Sequence, residues 1–234
     1  MRIETIVAPP LDLARAFAER VALAAHAASE EQRSLSLVVP GGSVAEQFFP
    51  ALAAANIDWA PVDLLWGDER AVAARDADSN YRIAAELLLP NIALDPAHVH
   101  RMPADDAELD AAALAYEATL HRVLGKRERL DIVLLGVGPD GHICSLFPGH
   151  PALEERTRHV VAITDSPKPP PRRLTLTLRA LAGAEIYVAA FGGAKAEAIR
   201  ESIHSAASPL PVARAARGGC RAVFLLDAGA AGRL

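Results

Sequence analysis

The chain has 234 residues, of which 51% are apolar and 23% are charged, and its formal net charge is −5. This length suits one large α/β domain or two small ones, and the composition is that of a folded, soluble protein. No block of Lys or Arg stands out, so the charge gives little support for nucleic-acid binding, whereas a small anion needs only a local basic pocket.

The sequence indicates a cytoplasmic protein and leaves its oligomeric state open. Its first ten residues lack the long apolar core of a signal peptide, and no apolar run reaches the roughly 18 residues of a membrane span. The two cysteines, Cys144 and Cys220, form no CxxC pair and indicate no disulfide framework. We expect both to be small buried apolar groups.

Short apolar runs alternate with longer helical patterns along the chain. In chain order, these patterns predict a helix over 11–29, a strand over 35–39, a helix over 44–55, a strand over 62–66, helices over 80–89 and 107–124, strands over 132–135, 173–178 and 186–191, a helix over 195–205 and a strand over 222–226. The alternating Leu and Thr of 173–178 are typical of a half-exposed strand. The repeated order of strand, turn and helix predicts an α/β fold, with a mostly parallel sheet and helices on both faces.

Polar or glycine-rich turns follow four of the predicted strands. Because ligands of open α/β sheets bind beyond the carboxyl ends of the strands, we expect these turns to surround one crevice. Glycine turns and helix N-termini bind phosphate, and arginine adds charge-assisted contacts. The four turns are Gly41-Gly42-Ser43, Asp68-Glu69-Arg70, Asp140-Gly141-His142 and Gly192-Gly193 with Lys195.

The turn over 136–142 also fits the dinucleotide fingerprint G-x-G-x-x-G, but its context argues against a nicotinamide or flavin site. That fingerprint needs a helix opening at the loop and an acidic residue about 20 positions later. Here Pro148 and Pro151 end any helix early, and the nearest acidic residues miss the spacing. The turn instead delivers an acid and an imidazole, Asp140 and His142, beside backbone that a ligand can approach closely.

Four motifs in this order resemble those of the 6-phosphogluconolactonase family. The second and third motifs are specific in combination. The family often has Thr where this chain has Val44 and Ile143, and the loss of a hydroxyl at position 44 removes one possible phosphate contact. The motifs are Gly41-Gly42-Ser43; Trp66-Gly67-Asp68-Glu69-Arg70 with Asp78-Ser79-Asn80-Tyr81; residues 136–142 with Ser145-Leu146-Phe147-Pro148-Gly149; and Arg173-Leu174-Thr175-Leu176-Thr177.

The resemblance implies a fold, an activity and a pathway. The fold is a Rossmann-like α/β sandwich, here one domain over 1–234, similar to glucosamine-6-phosphate deaminase and ribose-5-phosphate isomerase. The activity is hydrolysis of 6-phosphoglucono-δ-lactone to 6-phosphogluconate in the pentose phosphate pathway. The family needs no metal ion and no organic cofactor, so the expected partner is a small sugar-phosphate lactone.

Two alternatives to a lactonase stay open. Glucosamine-6-phosphate deaminase shares the Asp-Gly-His turn, but its pattern continues in a way similar to His-Ile-Ala-Phe-Asn-Glu-Pro. Its glutamate, which tunes the histidine for ring opening, falls on Phe147 of this chain. A non-catalytic sugar-phosphate-binding regulator would need no His142, but would usually carry a DNA-binding module for which the chain has no spare length.

For the lactonase we expect His142 to be the general base that activates water. Asp140 is expected to orient the imidazole, and Asp68 or Glu69 could do so across the crevice. Backbone N–H groups of the turn over 136–141, including Gly138 and Gly141, are candidates for the oxyanion site.

The phosphate is expected to bind the turn Gly41-Gly42-Ser43 together with Arg70, Arg173 and Lys195. Cys144 and Ser145 are not expected to act as nucleophiles, since no Gly-x-Ser-x-Gly elbow surrounds the serine. The histidines other than His142 are expected to be structural; they are His26, His98, His100, His121, His150, His159 and His204.

Overall fold

The computed structural model describes residues 2–234, and the chain forms ten strands within them. The strands are β1 (Arg2–Val7), β2 (Leu35–Val39), β3 (Val62–Trp66), β4 (Asp68–Arg70), β5 (Val99–His100), β6 (Ile132–Gly136), β7 (Val160–Ile163), β8 (Arg173–Leu176), β9 (Glu185–Ala190) and β10 (Arg221–Leu226). The helices are α1 (Pro10–Glu30), α2 (Gly42–Ala54), α3 (Asn80–Leu87), α4 (Leu109–Leu124), α5 (Leu178–Leu181), α6 (Ala196–His204) and α7 (Pro211–Gly218).

Seven of the strands form a sheet in the order β1-β10-β9-β6-β2-β3-β5, and every neighbouring pair is parallel. From β2 the chain continues outward to β3 and β5, and from β6 it continues outward in the opposite direction to β9 and β10. The strand order therefore switches between β2 and β6. In open α/β sheets this is the position where ligands bind.

The central strands are covered on both faces. Every residue of β2 and β3 is buried, as expected of parallel strands between two layers of helices. On one face α1 packs beside α2, and the Phe17 ring contacts the rings of Phe48 and Tyr187. Helix α7 packs against β9 and β10. The predicted α/β class, with a mostly parallel sheet and helices on both faces, is confirmed.

A second, antiparallel sheet has the order β4-β8-β7, and two predictions about it were wrong. Asp68–Arg70, predicted as a turn, is a strand whose residues pair with Arg173–Thr175. β8 is wholly buried rather than half exposed, because α4 packs against this sheet. The Thr175 side chain can be buried because its hydroxyl donates a hydrogen bond to the Leu176 carbonyl.

Other differences from the sequence predictions are local. The sequence analysis did not predict β1, β5, β7, α5 or α7, which are short or lack a clear period. Cys144 is a largely buried group, whereas Cys220 is exposed, so the expectation that both are buried was wrong for Cys220. Among the described residues, no helix combines the length and apolar content that a membrane crossing requires. The cytoplasmic location stays a prediction.

Candidate active site

An open cleft with a volume of about 230 Å³ lies at the carboxyl ends of β2, β3 and β6, at the switch in strand order. The four turns that the sequence placed around one crevice all contribute to it, because the strands that carry them are parallel or lie beside the parallel sheet. The predicted site residues that line the cleft are Gly41, Gly42, Ser43, Asp68, Arg70, Gly138, His142, Arg173 and Lys195.

His142 and Asp140 form a hydrogen-bonded pair on the turn after β6. His142 Nδ1 lies 2.5 Å from Asp140 Oδ1, and 19% of the histidine side chain is exposed. Because a carboxylate only accepts hydrogen bonds, this contact places the imidazole proton on Nδ1. Within the described part of the chain, Nε2 has no hydrogen-bond partner, so its lone pair is free to accept a proton.

Two further residues, which the sequence analysis did not single out for this role, complete the surroundings of the histidine. The Phe147 ring stacks on the His142 ring with centroids 4.6 Å apart. Lys168 Nζ lies 3.4 Å from Asp140 Oδ1 and 3.2 Å from His142 Nδ1. Lys168 belongs to the proline-rich loop over 167–171. Because it contacts a histidine 26 positions earlier in the chain, no local sequence pattern predicts this contact.

The groups around His142 act on its pKa in opposite directions. Burial of the ring lowers the pKa of His142, and the nearby Lys168 ammonium acts in the same direction. The hydrogen bond to Asp140 opposes both, but the pKa of His142 remains below its ordinary value. Burial is the largest single influence on Asp140 and would raise its pKa, but the hydrogen bond and charge of His142 together with the Lys168 ammonium outweigh burial, so the pKa of Asp140 lies below its ordinary value. Neutral imidazole beside an ionised carboxylate is the form that a general base needs.

Gly138 is the floor under the His142 ring. A Cβ atom at position 138 would overlap the imidazole and the Asp140 carboxylate, so only glycine allows this approach. Its N–H donates to the His142 carbonyl at 2.9 Å, and the Gly141 N–H donates to the Gly138 carbonyl at 2.9 Å. These two N–H groups hold the turn together. This differs from the expectation that they would bind an oxyanion.

Asp68 lines the cleft but does not hydrogen-bond to His142. Its Oδ2 accepts from Ser145 Oγ at 2.7 Å, and its Oδ1 accepts from Asn80 Nδ2 at 3.2 Å. Arg173 Nη1 lies 4.0 Å from Asp68 Oδ2. The carboxylate therefore sits in a buried polar network beside the cleft, and Asp140 alone contacts the imidazole among the acidic residues that the structure describes.

Arg173 mainly holds the proline-rich loop. Its Nε donates to the Pro170 carbonyl, its Nη2 donates to the carbonyls of Lys168 and Pro169, and its Nη1 donates to Ser145 Oγ. Four of the five guanidinium N–H bonds are thus directed at the protein, which leaves at most one for a substrate. Arg173 consequently positions the loop that carries Lys168 over the turn that carries His142.

Glu69 lies outside the cleft, so the structure does not bring it to His142. Its carboxylate accepts the backbone N–H groups of Arg70, Asn80 and Tyr81 and the hydroxyl of Ser79. Burial raises its pKa in spite of these bonds. Two of these N–H groups belong to the first turn of α3, where they have no acceptor within the helix. Glu69 therefore fixes the start of α3 against β4.

The opposite side of the cleft carries free donors. Gly42 has a φ of +63°, which glycine adopts without strain and which starts α2, and the first N–H groups of that helix have no intrahelical acceptor. The Lys195 ammonium also lines the cleft and has no hydrogen-bond partner among the described residues. Burial lowers the pKa of Lys195. A helix N-terminus with an unpaired ammonium is suited to bind a phosphate.

A family model, two known sequences and one solved structure that are similar to this chain all concern the same group of enzymes. The family described as glucosamine-6-phosphate isomerases/6-phosphogluconolactonase matches residues 9–224. The chain is 41% identical over 222 residues to 6-phosphogluconolactonase of Mycobacterium tuberculosis, covering 91% of this chain and 90% of that protein. It is 38% identical over 236 residues to 6-phosphogluconolactonase of Streptomyces coelicolor, covering 95% and 90%. The solved structure of 6-phosphogluconolactonase from Trypanosoma cruzi superposes with a TM-score of 0.88 at 27% identity, covering 100% of this chain and 97% of the other.

Proposed function

Since the chain belongs to the family of glucosamine-6-phosphate isomerases and 6-phosphogluconolactonases, we propose that it hydrolyses 6-phospho-D-glucono-1,5-lactone to 6-phosphogluconate. This is a reaction of the oxidative pentose phosphate pathway. The observation that carries the proposal is the Asp140–His142 pair at the cleft, with Phe147 rather than a carboxylate packed on the imidazole.

His142 acts as the general base in this proposal. Its neutral Nε2 takes a proton from water as the water oxygen attacks the lactone carbonyl carbon, and the Nδ1–H bond to Asp140 stabilises the imidazolium that forms. The tetrahedral intermediate then expels the ring oxygen, and the imidazolium returns the proton to that oxygen. The net reaction adds one water molecule to the lactone and gives the open-chain acid, 6-phosphogluconate.

The phosphate anchors the substrate on the other side of the cleft. The N-terminus of α2, with Gly42 and Ser43, and the Lys195 ammonium provide donors that no group within residues 2–234 occupies. Arg70 also lines the cleft, although its Nη1 already donates to the Asp78 carbonyl. Binding at a remote phosphate orients the carbonyl for attack and so contributes to the rate.

Phe147 separates this activity from amino-sugar deamination. The deaminase pattern has a glutamate at this place, which tunes the histidine for ring opening, whereas a phenyl ring stacked at 4.6 Å gives the imidazole an apolar wall. An apolar wall favours the neutral base that water activation needs. The Lys168 Nζ and Arg173 Cζ atoms lie 6.0 Å and 5.8 Å from the centroid of the same ring, at cation–π distance.

The proposal is tested with two substrates in parallel. Freshly generated 6-phosphogluconolactone is incubated with the enzyme, and acid release is corrected for spontaneous opening. Glucosamine 6-phosphate is incubated under the same conditions and assayed for ammonia. We expect fast lactone opening and no ammonia. Release of ammonia without faster lactone opening would show that the chain is a deaminase. No activity with either substrate would favour a sugar-phosphate-binding regulator.

The pH profile reports on the two groups that flank His142. We expect kcat/KM to fall at acid pH as His142 is protonated, because imidazolium cannot accept a proton from water. Lys168→Met removes a cation that lowers the pKa of His142, so the acid limb moves to higher pH. Asp140→Asn removes the carboxylate that raises this pKa, so the limb moves to lower pH. Acid limbs that stay in place in both variants would contradict His142 as the titrating base.

Lys195 is expected to bind phosphate rather than take part in chemistry. A charge-assisted hydrogen bond contributes about 1.5–3 kcal/mol, so Lys195→Gln should lower kcat/KM by about 10–100-fold, mostly through a higher KM. Inhibition by inorganic phosphate should weaken in the same variant. The exposed Lys126→Gln variant serves as the control and should match the wild type. Unchanged KM and unchanged phosphate inhibition in Lys195→Gln would place the phosphate elsewhere.

A further inference from the structure

A second cluster of titratable side chains lies apart from the catalytic cleft, where α4 meets the start of β7. It consists of Glu117, His121 and His159, and the two histidines line an open depression of about 260 Å³. The strand pairing shows its distance from the catalytic site. Val160, next to His159, pairs with Leu176 at one end of β8, whereas Arg173 at the other end lines the catalytic cleft.

The three donor atoms of this cluster converge on one point. Glu117 and His121 are four residues apart on α4, so their side chains lie on the same face of the helix. His121 Nε2 lies 3.0 Å from His159 Nδ1, which lies 3.6 Å from Glu117 Oε1. Bonds of about 2.0–2.2 Å to one tetrahedral ion separate its ligand atoms by about 3.3–3.6 Å, so small movements suffice to accept an ion.

The contact between the two imidazoles also shows that one of the two facing nitrogens is unprotonated. At 3.0 Å one ring nitrogen donates, so the other must be an unprotonated acceptor. The rings are nearly perpendicular, at 87°, so they do not stack on each other. Neutral imidazole nitrogen ligates transition metals, so an ion that binds both rings replaces this hydrogen bond and releases its proton.

Hydrogen bonds hold the Glu117 carboxylate in one orientation. Its carboxylate accepts Arg158 Nε at 2.5 Å and also accepts the backbone N–H of His159. Such supporting bonds fix the direction of a metal ligand. The Arg158 and Arg179 guanidinium groups oppose a cation, whereas Glu128, on the rim of the same depression, favours one.

A cluster of similar composition elsewhere in the described chain has no hydrogen bond between its two imidazoles. Asp63 Oδ1 lies 2.9 Å from His98 Nδ1 and 2.7 Å from His100 Nε2. Both imidazoles can donate to this one carboxylate oxygen, which leaves no unprotonated nitrogen facing another in the cluster. Asp63 and His100 are also buried. This cluster is a satisfied structural network and provides an internal control.

We propose that Glu117, His121 and His159 form a binding site for a zinc-like divalent transition-metal ion. The ligand set is one carboxylate and two imidazoles, with the fourth position open to water from the depression, which is a common zinc environment. The site ties α4 to the small sheet. Its role is structural and separate from lactone hydrolysis, which uses His142.

The test is zinc binding to the full-length protein by isothermal titration calorimetry, with cobalt(II) absorption as a readout of tetrahedral geometry. His142→Ala serves as the background, so that the catalytic histidine contributes no site. We expect one bound ion and a rise in Tm with zinc, since binding to the folded state alone stabilises it. Loss of a group that only supports a ligand costs about 10–100-fold in affinity, so His121→Ala should lower zinc affinity by at least about 100-fold.

Two further variants make the result decisive. His159→Ala should also remove binding, whereas His98→Ala, in the control cluster, should retain it. Because His121 is exposed, its replacement is compatible with folding. The Tm of the metal-free variant checks this. Equal zinc binding in the His121→Ala and parent proteins, or loss of binding in His98→Ala alone, would overturn the proposal. A failed lactonase assay would leave this result unaffected, because binding is read directly.

Discussion

Replacing His142 by alanine is expected to lower kcat for lactone opening by about 10²–10⁴-fold, the usual contribution of a positioned general base. The imidazole Nε2 is the unpartnered base in the cleft, and its orientation depends on the 2.5 Å contact with Asp140. Because the lactone also opens spontaneously, the rate is measured on fresh substrate at several enzyme concentrations, and only the enzyme-dependent part is compared.

The matched control for this variant is His26→Ala. His26 lies on α1 with 73% of its side chain exposed, and its partner is the neighbouring Glu30. We expect wild-type kcat and an unchanged fold in this control. The affinity of His142→Ala for the product 6-phosphogluconate should also remain, because the proposed phosphate site is formed by Lys195 and the start of α2. An enzyme-dependent rate in His142→Ala equal to that of the wild type would exclude His142 as the base.

Most of the residues that line the cleft could be predicted from the sequence. Parallel strands carry their following turns to one edge, so the sequence alone assigns four turns that are far apart in the chain to one crevice. The same reasoning could not separate residues that face the cleft from residues that support it. Asp68 and Glu69 are adjacent, but on a strand successive side chains point to opposite sides, and β4 was predicted as a turn.

Contacts between distant segments explain the remaining differences. Arg173 holds the proline-rich loop beside His142 through three hydrogen bonds to loop carbonyls, and this loop has no period that predicts its course. The N–H groups of Gly138 and Gly141 were available as oxyanion donors by sequence, but the turn uses them for its own closure. Short elements such as β5 form because a neighbouring strand pairs with them.

Gly138→Ala is expected to lower kcat/KM by about 10²-fold, because a displacement of about 1 Å at a reacting group can cost that much. Gly138 has no positive φ, so alanine is compatible with the backbone, and the effect comes from the added methyl group. That methyl group would overlap the His142 ring and the Asp140 carboxylate, so the imidazole must turn away from its hydrogen bond.

Gly218→Ala provides the matched control for the same substitution. Gly218 ends α7, where an added Cβ would meet no atom within 4 Å. Its kcat/KM should equal that of the wild type. The His142 imidazole resonances of Gly138→Ala should shift as the ring leaves Asp140, while Tm stays close to that of the control. A Gly138→Ala enzyme with full activity would show that catalysis does not need the imidazole in this orientation, whereas a lowered rate with an intact fold ties the rate to the packing of one ring on one glycine.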